Sequence, residues 1–144
     1  MTQDMALISI LKQNKWSRPV YFSTTVDSSS MPGLSKYTTM EGSILELKPY
    51  LPEKIDPDLM TANLIEKYRY RNFNNSNQSI DRVTANLFNN FRYQFYALID
   101  YYLNSGNNRI ARKLFDVMNY KLPPWRFTEA QNAFLNDLAK RMEK

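Results

Sequence analysis

Trp16-Ser17-Arg18-Pro19-Val20-Tyr21-Phe22 is the stretch on which the fold turns. Upstream, residues 4–13 read as a helix, with Leu7, Ile10 and Leu11 on one face and Met5 and Ile8 beside them. Thr2 or Asp4 is a suitable cap for its start, and Asn14 suits a left-handed position at its end. Pro19 fixes its own φ, offers no backbone N–H and pushes Arg18 towards an extended conformation. The helix therefore stops here and the chain leaves in a set direction. Val20 to Val26, rich in β-branched and aromatic residues, reads as the first strand.

Beyond that strand, Asp27 to Ser30 and Met31-Pro32-Gly33 are loop and turn chemistry, the stretch expected to be most mobile. Ser43 to Lys48 reads as a second strand, with Ile44, Leu45 and Leu47 facing a core and Glu46 outward, closed by Pro49 and Pro52. No third strand is clear. So small a sheet needs helices to cover it. Asp56-Pro57 starts a helix whose apolar face is Met60, Leu64 and Tyr68, with Leu59 and Ile65. Asn72 to Ser79 reads as an Asn/Ser-rich linker, and Ser79 as the cap of the longest helix. Ile80, Val83, Leu87, Phe91, Phe95, Leu98 and Tyr102 form its apolar stripe, and Gly106 ends it. A helix over 109–119 turns Ala111, Leu114, Phe115 and Met118 inward. After Pro123-Pro124, Thr128 with Gln131 makes a capping box for a last helix carrying Phe134, Leu135, Leu138 and Met142.

The expected architecture is α+β, mostly α: a small two- or three-stranded sheet packed on helices, then a tetratricopeptide-like helical hairpin and a final helix. The hairpin rests on Phe95, Leu98, Tyr102, Gly106, Ala111, Phe115 and Pro123, which fall where that repeat places aromatics, small residues and its closing proline. The expected domains are residues 1–71 (helix, sheet and covering helix), a linker over 72–79, and a helical region over 80–144.

Composition removes most reaction classes. The 144 residues contain no cysteine and no histidine, so thiolate nucleophiles, cysteine metal sites and imidazole acid–base chemistry are absent. Only three glycines are present, which excludes glycine-rich phosphate loops. The net charge of +5 is scattered among acidic residues rather than gathered in a block, so it reads as a solvated basic surface and nucleic acid is disfavoured. No apolar run reaches the roughly 18 residues of a membrane span, so this chain is expected to be soluble by itself.

Four residues stand out as candidates for binding: Trp16, Arg18, Tyr21 and Glu41. A Trp–Arg pair can stack on a sugar or grip a phosphate. The plainer reading makes Trp16 an anchor at the helix end and pairs Arg18 with a carboxylate, Glu41 being the candidate. Asp27, Glu41 and Glu46 are the carboxylates that a glycosidase would need. Tyr93, Tyr96, Tyr101 and Tyr102 suggest a stacking platform but point several ways on a helix. Arg69, Arg71, Arg82, Arg92, Lys12 and Lys15 are candidate phosphate contacts, with nothing in their spacing to gather them on one face. No catalytic residue, metal ligand or cofactor site is expected.

The order of these features resembles the C-terminal region of bacterial membrane proteins of glycosyltransferase family 117, also described as protein O-mannosyltransferase-like. The matching residues are Trp16 to Phe22, Gly33-Leu34-Ser35-Lys36-Tyr37, Glu41-Gly42 with Leu47-Lys48-Pro49, the Asp56 to Tyr68 helix with Asn63-Leu64, and Arg82, Asn86 and Leu87. The resemblance implies an extracytoplasmic, periplasmic tail tethered to the inner membrane by an upstream membrane portion. That portion would hold the catalytic carboxylates, leaving this chain a non-catalytic domain that assists acceptor or partner binding. Met1 is then the start of an excised fragment. The alternative is a stand-alone helical module that binds a protein or peptide along the hairpin.

Overall fold

The computed structural model describes residues 2–31 and 33–143, without the side chains of residues 2–4 and 28. Met1, Pro32 and the expected capping side chains Thr2 and Asp4 therefore lie outside it. The architecture is mostly helical with one small sheet, as the sequence predicts. The chain forms two compact units, Met1–Asp56 and Pro57–Lys144.

In the first unit, helix α1 (Thr2–Asn14) is followed by strands β1 (Val20–Ser23), β2 (Thr38–Met40) and β3 (Ile44–Leu47). The helix ends one step later than expected. Lys15 and Trp16, with φ of 46° and 60°, take the left-handed positions assigned to Asn14. The Asn14 amide instead donates to the Arg18 carbonyl at 2.7 Å and closes the corner from within.

The sheet is antiparallel in the order β1-β3-β2. Val20 and Thr38 both pair with Leu47, while Tyr21 and Thr39 both pair with Glu46. Alternation then puts Val20, Phe22, Leu45 and Leu47 on one face and Tyr21, Thr39 and Glu46 on the other. Gly42, at a φ of 115°, turns β2 into β3. The outer edge of β2 is closed by residues 54–56: Met40 N–H donates to the Lys54 carbonyl and Asp56 N–H to the Met40 carbonyl. Met31 is buried and anchors the loop between β1 and β2.

The second unit opens with α2 (Pro57–Thr61), which runs into a π-helical turn over Ala62–Lys67. Its Met60 and Leu64 are buried, and α2 packs on α3 (Arg82–Asn104). The unit boundary thus falls at residue 56, not at 71, because this helix shares its buried face with the C-terminal helices. Nor is 72–79 an open linker. Phe73 is buried, stacks on Phe88 at 4.2 Å and lies 5.6 Å from Phe127, while the Arg126 guanidinium donates to the Phe73 and Asn75 carbonyls.

Helix α3 starts at Asp81, not Ser79, because the Asp81 carboxylate caps Thr84 N–H at 2.9 Å. Its buried residues are Asn89, Arg92, Gln94, Phe95, Leu98 and Ile99, whereas Val83 and Leu87 of the predicted stripe are exposed. Gly106, at φ 74°, turns the chain into α4 (Asn108–Lys121), which packs along α3 as a hairpin. The Thr128–Gln131 capping box opens α5 (Glu129–Met142) as expected.

Candidate functional site

The structure places three of the four predicted binding residues in two settings and leaves Arg18 exposed outside both. Glu46, on the central strand, organises the first. Its carboxylate meets the Lys48 ammonium on one side and the carboxyl of Glu41 on the other. Glu41 sits there because Gly42 turns the chain immediately after it. Burial, then the hydrogen bond and charge of Glu46, push the Glu41 carboxyl from its ordinary 4.5 up to about 7. The same bond lowers Glu46, so below about pH 7 Glu41 carries the proton and donates to Glu46. Tyr21 faces Glu46 from β1, and its hydroxyl is raised by burial and by both carboxylates.

Arg18 is not Glu41's partner. The charges acting on Glu41 are those of Glu46, Lys48 and Asp56, and the Arg18 side chain is exposed. The carboxyl pair also lacks glycosidase geometry. Such enzymes hold their carboxyls roughly 5 Å or more apart to admit the glycosidic bond, and these two are in hydrogen-bond contact. Asp27 is engaged in a turn of its own, accepting Ser29 N–H at 2.8 Å.

The second setting belongs to Trp16. Its left-handed backbone swings the indole to a crevice of ≈ 220 Å³, lined also by Leu11, Leu34, Tyr37, Lys48 and Pro49. Leu47 forms part of the wall together with Lys48, whose ammonium pairs with Glu46, so the crevice lies at the C-terminal end of β3. Trp16 is 47% exposed and is therefore a wall of this crevice, not a buried anchor. Three segments distant in sequence (Trp16, Leu34 to Tyr37, and Leu47 to Pro49) converge here. Each contains a large ring, an aliphatic side chain or a cation, the mixture with which proteins grip an amphipathic ligand.

The tyrosines make no platform. Tyr93 and Tyr96 both lie against Phe134, while Tyr101 and Tyr102 meet edge to face. Among the described residues no cluster of His, Cys, Asp or Glu is placed to hold a metal. No helix among them is long and apolar enough to cross a membrane.

These features coincide with a known sequence pattern. Residues 1–67 match the family model described as TMEM260-associated domain 2, so over the sheet unit, α2 and the π turn the chain is similar to that domain. The matched region holds both settings. No curated protein and no solved structure matches the chain.

Proposed function

We propose that this chain is a non-catalytic accessory domain of a larger membrane protein, held on its extracytoplasmic face beside a glycosyltransferase-like membrane portion. Its task there is to hold an acceptor, glycan or protein, in the crevice walled by Trp16. The observation that carries this reading is the convergence of three motif segments on that one crevice. The match to a domain described as TMEM260-associated supports a membrane-associated parent. The closed Glu41–Glu46 pair supports a binding role over a hydrolytic one.

The test is binding to arrays of glycans and peptides by the wild-type chain, Trp16→Ala and Trp125→Ala. Trp125, 55% exposed against 47% for Trp16, lies elsewhere in the sequence. A ligand lost only with Trp16→Ala supports the reading. Ligands lost equally with both variants, or none retained by the wild type, would sink it. Membrane helices encoded upstream in the same reading frame are also required, and a stop codon directly before Met1 counts against the tether.

A second reading, a module that takes a peptide along α3, draws on the exposure of Val83 and Leu87 one turn apart. It predicts that Leu87→Asp abolishes peptide capture while Trp16→Ala leaves it intact.

A further inference from the structure

We propose that the cleft between residues 68–72 and the C-terminal end of α4 binds a phosphate monoester. Arg69 and Arg71 hold its anionic head, and Tyr120 lies against its carbon skeleton. The two arginines looked ungathered in the sequence. The fold gathers them with a lysine fifty residues away.

Tyr68, which follows the π turn, is extended (φ −72°, ψ 136°). Alternation along an extended chain sends its side chains to opposite sides. Tyr68 and Tyr70 go inward, each edge-on to Phe91 at 5.6 and 5.7 Å, and the Tyr70 hydroxyl donates to the Leu64 carbonyl at 2.9 Å. Arg69 and Arg71 go outward and are exposed. The chain then folds back through Arg71 and Asn72 at φ of 31° and 62°, two successive left-handed positions without a glycine. Such strain is uncommon and clusters at ligand-binding segments.

The cleft so formed measures ≈ 440 Å³ and is lined by Tyr68, Arg69, Arg71, Asn72, Tyr120 and Lys121, among others, with no carboxylate in its wall. Lys121 is already engaged: its Nζ donates to the Ile65 carbonyl at 2.8 Å and lies 4.9 Å from the Tyr70 ring centroid. It answers the helix-end carbonyls, and its ammonium is disfavoured by burial and by the charge of Arg69. Among the described residues neither arginine has an ion pair. Three cations crowd one cleft, and no carboxylate among the described residues lines it. Two free guanidiniums backed by an ammonium match a dianion, and guanidinium forks fit phosphate oxygens. Tyr120, 71% exposed at the rim, has no ring or cation contact among the described residues and offers a ring face to a ligand.

The test titrates the whole chain with inorganic phosphate and with phenyl phosphate, following backbone amide shifts. The expected result is saturable binding that moves residues 69–72 and 120–121. Arg69→Gln and Arg71→Asn should each weaken it at least about tenfold, Asn being chosen to suit the left-handed backbone. Tyr120→Ala should remove a roughly threefold preference for phenyl phosphate over inorganic phosphate. Arg109→Gln, which removes one charge elsewhere, should leave binding unchanged. Sedimentation with vesicles of phosphatidylcholine carrying phosphatidic acid, lost with Arg69→Gln, assigns the monoester to a lipid headgroup. Saturable binding of the soluble probes without sedimentation assigns it to a free ligand. Shifts spread over the surface, or equal weakening by Arg109→Gln, would overturn the site, as would no binding by any probe. None of these outcomes bears on the Trp16 crevice, which lies in the other unit.

Discussion

The Arg92 guanidinium carbon lies 4.2 Å from the ring centroid of Phe127, inside the core of the helical unit, with the Phe134 ring 4.9 Å away. Arg92 is fully buried, yet among the described residues only Nη1 has a hydrogen-bond partner, the Gln131 carbonyl at 3.2 Å, while Nε and Nη2 have none. Burial drives its pKa down to about 10. Desolvation of a buried charge costs several kcal/mol, and each desolvated cation–π contact returns about 2. The two effects nearly cancel, so shape is what the core gains from this side chain. Arg92→Met, which keeps the volume and drops the charge, should be neutral or stabilising by about 1 kcal/mol. Arg92→Ala should cost about 3 kcal/mol through the cavity it leaves. Urea denaturation of both variants decides: a large loss for Met would show that the charge itself holds the core.

The Glu41–Glu46 pair makes stability depend on pH. Glu41's carboxyl has a folded pKa of about 7 against an ordinary 4.5, so between these values the folded chain holds a proton that the unfolded chain has released. Stability from this group is therefore full below 4.5 and declines as pH rises through 7. Glu46 runs oppositely, since its lowered pKa favours the fold above its unfolded value and fails as acid protonates it. Glu41→Gln keeps a donor for Glu46 without the titration. Denaturation midpoints across this range should show Glu41→Gln level with wild type in acid and more stable than it above pH 7 or so. Parallel pH profiles for the two proteins would refute the shared proton.

Local chemistry was legible in the sequence, and long-range partnership was not. Pro19, Gly106 and the Thr128–Gln131 pair act on their immediate neighbours, so their effects could be read from spacing. Thr38 to Met40 was missed because three residues carry no periodic signal. It becomes a strand only through pairing with β3 and the 54–56 segment. Periodicity found a stripe on α3 but not which half of it is covered: Val83 and Leu87 stay exposed while Asn89, Arg92 and Gln94 are buried. All three settings share this limit. Glu41 meets Glu46 only through the hairpin, and Trp16 meets Leu34 and Pro49, as Arg69 meets Lys121, only through the fold.

The α5 capping box gives a calibrated local test. The Thr128 hydroxyl accepts Gln131 N–H at 3.3 Å, and Gln131 Oε1 accepts Thr128 N–H at 3.0 Å. Thr128→Ala should cost about 1 kcal/mol, and Thr128→Ser should cost little because the hydroxyl survives. Thermal melts separate the two. Equal losses would mean that the methyl group, not the cap, carries the effect.

Trp16 should behave spectroscopically as the wall of an open crevice. The chain has two tryptophans, Trp16 and Trp125, 47% and 55% exposed. Native emission should therefore lie near that of a hydrated indole and be quenched by iodide before any unfolding. With Trp125→Phe in the background, the remaining signal reports Trp16 alone. Half of its surface is already wet, so Trp16→Ala should cost roughly 1–2 kcal/mol, below the roughly 3–5 expected for a buried tryptophan. Its φ of 60° adds a second signature: Trp16→Gly should be no less stable than Trp16→Ala, because glycine accepts the left-handed backbone that alanine resists. A blue-shifted, iodide-resistant emission together with the larger loss would return Trp16 to the core and remove the crevice from consideration as a binding site.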